Sequence, residues 1–500
     1  MKPKTLWYEN NSNRVFKGRT PIFSTFKSEE LLDVNNVVNL INTSMTTHIY
    51  NANEIEYLYN YYKGVQPILN KKTISRPEIN NILLINHAHM ITRTISNYFV
   101  GTPIQYTQSG YGDLDDDENK RVQVERLNSY LEFGNSAGVD LEVAECQSVC
   151  GTAYRIIITS DDEDLPFIDK FLQPSTTFVV YENTVVEEPL AGITYIPITS
   201  ADGFEKYRYE CYTKYGLYIF EGQSLNLTLD SYVEFIPYDV GGIPLIEYPN
   251  NRHRIGDWEL VMGIMDNISL LYSNRVDDIE QIVQALLVFI NADIDLETYD
   301  EMREKGIISL VNRSNESKSE VKSITNPLDQ TGVGELSKEL IEMLYSLVGI
   351  PSRDNRSAGG GDTGTAVELR DGWADLENVV RSKEINFKRC ERNKLKIITS
   401  ILNKKFNFNL KPNDLLIKFS RNKNNNLLVK AQSLINLIST KAIAPIDALQ
   451  ISDLTTDATD VINRAMSFWG DEFAGKSSYE LYDVETPENE TSNTIEKDEK

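Results

Sequence analysis

The sequence predicts an α+β fold that is predominantly helical, and three observations predict it. Apolar residues recur at helical spacing over most of the chain from Ser28 onward. One island, Thr152 to Pro249, replaces that spacing with short runs such as AYRIIITS, TFVVYEN, GITYIPIT, RYECYT, GLYIFEG and YVEFIPY. These runs are rich in β-branched and aromatic residues and are divided by turn residues, so they read as largely antiparallel sheet. Beyond the island, two helical stretches flank a compact insert. With 500 residues the chain is too long for one simple core and predicts two or more packed modules.

In chain order, residues 1–27 are polar and irregular. Leu31, Leu32, Val34, Val37, Val38, Leu40 and Ile41 mark a first helix, and NEIEYLYNYYKG a second that stops at Gly64. Ile79 to Phe99 reads as a third, ended by Gly101 and Pro103, with PIQYT as a strand. SGYGDLDDDENK reads as an acidic loop, and two helices follow up to Gly151. After the β island, Gly256 to Gln284 reads as a long helix of roughly 40 Å, with Asp257 as its N-cap. The insert reads as strand ALLVFINA, helix DLETYDEMREKG and strands IISLVN and SEVKSIT. GVGELSKELIEMLYSLVGIP gives a second long helix, stopped by Gly349 and Pro351. Two helices with a small module between their far ends suggest a stalk with a tip. Thr365 to Asn403 reads helical almost without a break, about 58 Å of rod, with Thr365 and Glu368 as a capping box. A strand or two and a polar loop follow, and then amphipathic helices at LLVKAQSLINLISTKAIAPIDALQ and DATDVINRAMSFWG. Asp471 to Lys500 holds ten acidic and three basic residues, a net of −7, and reads as a disordered tail.

The bulk numbers exclude several classes. Apolar content of 41% is that of an ordinary globular protein, and no apolar stretch approaches the ~20 residues of a membrane span. The N-terminus has basic residues but no apolar core, so it does not read as a signal peptide. Four cysteines, Cys146, Cys150, Cys211 and Cys390, suit a reducing compartment and not a disulfide framework. The net charge of −24 opposes any broad grip on nucleic acid, which needs Lys and Arg to neutralise phosphates.

The motifs give no support for an enzyme, a cofactor or a metal. GDEFAGKS, Gly470 to Ser477, matches the P-loop pattern letter for letter. Yet what precedes it is helical, too little chain follows to complete a nucleotide-binding sheet, and Asp471 and Glu472 would repel phosphate. His87 and His89 are two apart on a helix and so diverge. Cys146 and Cys150 share a helix face but lack two further ligands. The acidic runs at Asp115 and Asp161 lack EF-hand spacing. Between Ser352 and Gly364 lies a glycine-rich stretch, SRDNRSAGGGDTG, directly before the longest rod. It reads as a loop able to shift while the rod stays put, since glycine permits conformations other residues resist.

In this order of elements the chain resembles the portal proteins of long-tailed, siphovirus-type bacteriophages. YYKG at Tyr61–Gly64, NYFVGTPIQY at Asn97–Tyr106 and GGIPLIEYPNN before the first long helix carry the likeness. The fullest match is GIPSRDNRSAGGGDTGTAVELR, where a helix ends at Pro, a glycine-rich loop follows and a small-residue turn opens a long helix. That turn reads Thr363-Gly364-Thr365-Ala366, with Thr where Ser is commoner in the family.

The resemblance implies a phage portal fold with wing, stem, clip and crown around a central channel in a ring homo-oligomer, usually a dodecamer, at one capsid vertex. Residues 1–27 would be an arm, 28–255 the wing, and 256–284 and 333–349 the stem. Residues 285–332 would be the clip, 350–364 the tunnel loop, 365–425 the long helix returning to the wing, 426–470 the crown and 471–500 the tail. Implied partners are double-stranded DNA read without sequence specificity, the terminase large subunit, a head–tail adaptor, the major capsid protein and a scaffold protein, with no membrane. Assembly would occur in the host cytoplasm, and terminase would supply ATP hydrolysis.

Two sets of site residues follow. The tunnel loop would present Arg353, Arg356, Ser357, Gly359, Gly360, Gly361, Asp362, Thr363 and Gly364 to the channel. Arg353 and Arg356, its only cations, would either touch phosphates in passing or pair with Asp354 or Asp362. The first stem helix would present an acidic face, Asp257, Glu259, Asp266, Asp277, Asp278 and Glu280 against Arg275 alone, that does not hold DNA. Two other readings compete: a minor head or baseplate component without a channel, and a nucleotide hydrolase using Lys476. The sequence reading predicts that the purified protein hydrolyses no ATP; turnover that disappears in Lys476→Ala would contradict it.

Overall fold

A computed structural model of the chain describes residues 18–73, 77–108, 114–199, 205–223, 225–283, 286–290, 320–324, 330–351, 373–421, 427–439, 443–452, 454 and 458–469. The chain divides into two compact units, Met1–Asn422 and Lys423–Lys500.

In the first unit, the two helices expected before Gly64 are one, α1 (Val34–Tyr62), capped by Asp33, which accepts from the Asn35 N–H at 3.0 Å. Its middle looks broken in sequence because of Ser, Thr and Asn. Thr43 hydrogen-bonds back to the Asn39 carbonyl at 2.8 Å, while Met45 and His48 are buried, and the helix runs on. The helix expected from Ile79 starts only at α2 (His87–Val100), capped by Asn86. The preceding residues spend their N–H groups elsewhere: Asn81 N–H donates to Asp277 at 2.6 Å and Leu83 N–H to Ser273 at 2.9 Å. The stretch read as an acidic loop opens α3 (Leu114–Phe133). Aspartates in a first helical turn are favoured by the N-terminal dipole, which the loop reading overlooked. Helix α4 (Ser136–Cys150) follows, closed by Gly151 at φ 74°, where a Cβ would lie 2.1 Å from the Arg254 carbonyl oxygen.

The β island is as expected in kind. A six-stranded sheet runs in the order β1 (Ile22–Ser24), β5 (Thr177–Glu182), β6 (Pro189–Thr199), β7 (Glu205–Tyr212), β8 (Gly216–Gly222), β9 (Tyr232–Pro237). Every pairing in it is antiparallel except β1 with β5. A second sheet orders β10 (Leu245–Pro249), β3 (Thr152–Thr159) and β4 (Phe167–Leu172), and β2 (Gln105–Gln108) pairs with β13 (Leu415–Lys418). Strands β1, β4 and β10 have no counterpart among the short runs that mark the island in the sequence.

Two cores result. The large sheet closes over the first half of α1 through Val37, Leu40 and Ile41, with Phe178, Ile193 and Phe220. The helices and the small sheet form the other core, around Leu58, Ile91, Trp258 and Phe387. Helix α1 is common to both. The rod, α7 (Trp373–Phe406), has 34 residues and is about 51 Å long. The residues expected to open it, including the Thr365 and Glu368 capping box, lie outside the described residues. Of the insert, β11 (Leu286–Ile290) and β12 (Glu320–Ile324) form an antiparallel pair; its other expected elements lie outside the described residues.

The second unit contains α8 (Leu427–Ser439), α9 (Pro445–Ser452) and α10 (Ala458–Trp469), each packed on the next, with Ala448 buried. The first of the two helices expected here is split, and Pro445 opens the new segment, where its missing N–H costs nothing.

At the centre of the first unit lies a buried charged cluster that no local pattern announced. Arg155 on β3 donates to Asp169 on β4 at 2.6 Å, to Asp140 on α4 at 2.6 Å and to Glu391 on α7 at 3.2 Å. Lys394 lies 3.1 Å from Glu391, which also accepts from Tyr248 of β10 at 2.8 Å and from Tyr106 of β2. Side chains of Arg155, Glu391 and Lys394 are fully buried. Burial would raise the Asp169 and Glu391 carboxyls, but the Arg155 and Lys394 charges and the hydrogen bonds prevail and hold both below their ordinary values. Burial wins at Asp140, whose carboxyl is raised.

Asp169 and Glu391 contribute stability that is fully present above their unfolded values, near pH 4, and is lost as pH falls through the folded ones. Asp140 acts in the opposite sense. Removing Arg155 leaves three carboxylates facing one buried cation. Arg155→Ala should therefore cost about 3–5 kcal/mol, and the acid-side loss of stability should flatten, both read by denaturant unfolding across pH 3–7.

Candidate functional site

The stalk read from the sequence corresponds to α5 (Met262–Val283) and α6 (Gln330–Val348), which pack side by side. A 3-10 turn, Glu259–Val261, precedes α5. Met262, Met265 and Ile268 of α5 and Leu344 and Val348 of α6 enter the helical core. Tyr345 holds α6 against the start of α2, its hydroxyl 3.4 Å from His87 Nδ1. Burial lowers the His87 imidazole from its ordinary value.

The six carboxylates expected to face outward do not form an open acidic face. Asp257 is no helix cap: it lies before α5, bound to Lys383 of α7 at 2.6 Å and to Asn250 at 2.9 Å. Glu259 is buried, pairs with Arg19 at 2.5 Å and accepts the Gly256 N–H at 3.0 Å. Asp266 accepts from the Tyr61 hydroxyl at 2.8 Å. Asp277 is buried on Lys71 and Asn81, and Glu280 accepts from Asn81 at 2.7 Å. Burial would raise the Asp277 carboxyl, but the Lys71 ammonium and the Asn81 donors overcome it and hold the group low. Asp278 is half-buried. The charges are there to fasten α5 to the segments before α2 and to α7. Lys71 and Lys383 stand far off in sequence, so no helix-face reading could have paired them.

Exposed acid lies on α6 instead. Glu335, Glu339, Glu342 and Ser346 are exposed and recur at helical spacing on one stripe. About 90° round the helix runs a second stripe, Leu336, Met343 and Leu347, at 46%, 52% and 63% exposure. Serine and leucine in one repeat, ELSKELIEMLYSL, encode three faces: buried, apolar and open, acidic. On α5 the outward stripe is Gly263, Asn267, Leu270 and Asn274, with Leu260 just ahead of it. A groove of 780 Å³ lies along that stripe, its far wall made by Pro67 to Lys72.

All nine expected loop residues, Arg353, Arg356, Ser357, Gly359, Gly360, Gly361, Asp362, Thr363 and Gly364, lie outside the described residues, as does the P-loop-like Gly470–Ser477. The anchors on either side of the loop are described. Gly349 ends α6 at φ 75°, and a Cβ there would sit 2.8 Å from Val379 Cγ2 and 3.6 Å from the Asp375 carbonyl oxygen, both on the first turns of α7. Ile350 is buried beside it. On the other side Trp373 packs on Tyr98, ring centroids 5.8 Å apart, and the Tyr98 hydroxyl donates to Glu377 at 2.9 Å. The chain therefore leaves at Pro351 and re-enters at Trp373 beside the same turns of α7.

Among the described residues no group of three or more His, Cys, Asp or Glu is placed to hold a metal. His87 is buried and His89 exposed, so the pair diverges as expected. The four cysteines are buried free thiols; burial pushes Cys211 and Cys390 up to about 12. No described helix is long and apolar enough to cross a membrane.

The model of the family described as "Phage portal protein, SPP1 Gp6-like" matches residues 8–462. The chain belongs to that portal family. The earlier resemblance is thereby confirmed at the level of the family, and the portal protein is a component of the phage head. Among solved structures it is similar to a chain from the "Neck of empty GTA particle computed with C6 symmetry". That match has 10% identity and a TM-score of 0.39, covering 74% of this chain and 90% of the other. No curated protein matches.

In this portal protein Gly349 is the residue on which the close approach of α6 and α7 depends. Gly349→Ala should destabilise by about 1–2 kcal/mol for the left-handed backbone, with a further loss for the contact with Val379. Gly349→Asn, which tolerates positive φ, should recover the first part alone. Denaturation midpoints of the three proteins test this order.

Proposed function

We propose that the portal protein forms a ring, a dodecamer, at one vertex of the capsid and is the conduit for double-stranded DNA during packaging and ejection. The observation that carries the reading is the family match over residues 8–462. The net charge of −24 supports it, because a channel lined by cations would bind phosphates and arrest the DNA. The stripe Glu335, Glu339, Glu342 is the surface best suited to line the bore, in place of the α5 carboxylates.

Residues 256–284 and 333–349 would then be the stem, with 28–255 and 365–425 the wing and 426–470 the crown. The segment 285–332 would be the clip on which the terminase large subunit and later the head–tail adaptor dock. Residues 350–364 would be the tunnel loop, entered from Gly349 beside α7 and contacting DNA through Arg353 and Arg356. The protein would act as a structural component without catalysis, assembled in the host cytoplasm and resident in the virion, with major capsid and scaffold proteins around it.

Electron micrographs of the purified protein should show hollow rings with a central pore; a compact monomer under every condition would remove the proposal. Within a ring-forming protein, Arg353→Ala with Arg356→Ala should lower packaging rate and yield, and unchanged packaging would withdraw the role of those two residues.

A further inference from the structure

We infer which faces join neighbouring copies of the ring at the stem: the apolar stripe of α6 on one copy seats in the α5 groove of the next. The inference rests on the ring reading and names the partner at the stem: a second copy of this chain, presenting a different face.

Three observations carry it. The first is that the protomer has two unlike apolar surfaces near each other's ends of one helix pair. Leu336, Met343 and Leu347 project from α6 at 46%, 52% and 63% exposure, and Leu260 and Leu270 lie exposed at 62% and 41% along the groove. Unlike faces that satisfy each other make a heterologous contact, which closes into a ring when the rotation allows.

The second is fit. Leu336 and Leu347 are eleven steps apart, about 16 Å of helix, and Leu260 and Leu270 ten steps, about 15 Å. Between those two leucines stands Gly263, where a Cβ would meet nothing within 4 Å. A glycine weakens a helix relative to alanine, and nothing among the described residues requires this one. Close packing of a helix from the next copy would use the space.

The third is charge. Glu339 flanks the apolar stripe on α6 and Lys72 lies on the groove wall; both are exposed, and neither has an ion pair among the described residues. Seating the stripe brings these opposite charges to the rim of the contact. The arrangement also leaves Glu335 and Glu342, roughly 100–120° round α6 from the leucines, at the edge of the contact and able to face the bore.

The test uses the full chain. Leu260→Cys with Leu347→Cys, which the antiparallel run of α5 and α6 places at the same height of the stem, should, on oxidation, give a covalent ladder of increasing subunit number that ends in a closed species, read on non-reducing gels. Met343→Asp with Leu347→Asp should shift mass-photometry profiles from rings to monomers. Glu339→Lys and Lys72→Glu should each reduce the ring fraction several-fold, and the double exchange should restore it, which excludes simple misfolding. Rings that persist in the aspartate variant, with no ladder and no rescue, would overturn this pairing while leaving the ring itself standing. A wild-type chain that stays monomeric would overturn both.

Discussion

The structure depends on keeping Arg155 satisfied. A guanidinium with no exposure is costly unless each donor finds an acceptor, and here those acceptors come from β4, α4 and α7. Tyr106 and Tyr248 extend the same cluster to β2 and β10 through Glu391. Six elements thus meet at one point, and the position of α7 relative to the small sheet follows from it. Apolar packing around Phe387 and Trp258 supplies most of the driving force, but it is less selective in direction than a fork of fixed hydrogen bonds.

From that fixed α7 the helix α5 is placed by further long-range ion pairs. Lys383 holds Asp257, Arg19 holds Glu259 and Lys71 holds Asp277. These pairs explain why α5 contributes little open charge although it is rich in carboxylates. Helix α6 differs because its carboxylates share a stripe turned away from the core. One helical repeat therefore separates burial, exposed apolar side chains and open charge among three faces.

Much of the architecture was legible. The β island, the pair of long helices, the stop at Gly349 and the rod all follow from spacing and from glycine and proline placement. The order of those elements, with the glycine-rich segment before the rod, was enough to point to the portal family. Boundaries failed where the tertiary partner decides the outcome. Residues 77–86 have helical spacing, yet Asp277 and Ser273 take their N–H groups. Asp115 to Asp117 look like a loop until the helix dipole is considered. The acidic face of α5 failed for a related reason: a carboxylate reads as solvated unless its cation is nearby in sequence, and Lys71 is 206 residues from Asp277.

Because α6 ends and α7 begins at one spot, the connection between them has a property that a crossing link would lack. Its two feet share a single rigid footing, so residues added to or removed from it change neither the register of α7 nor the tilt of α6. Closing a longer loop over the same gap adds only about 0.6 kcal/mol per doubling. Evolution could thus lengthen or shorten that one segment with the scaffold on both sides untouched.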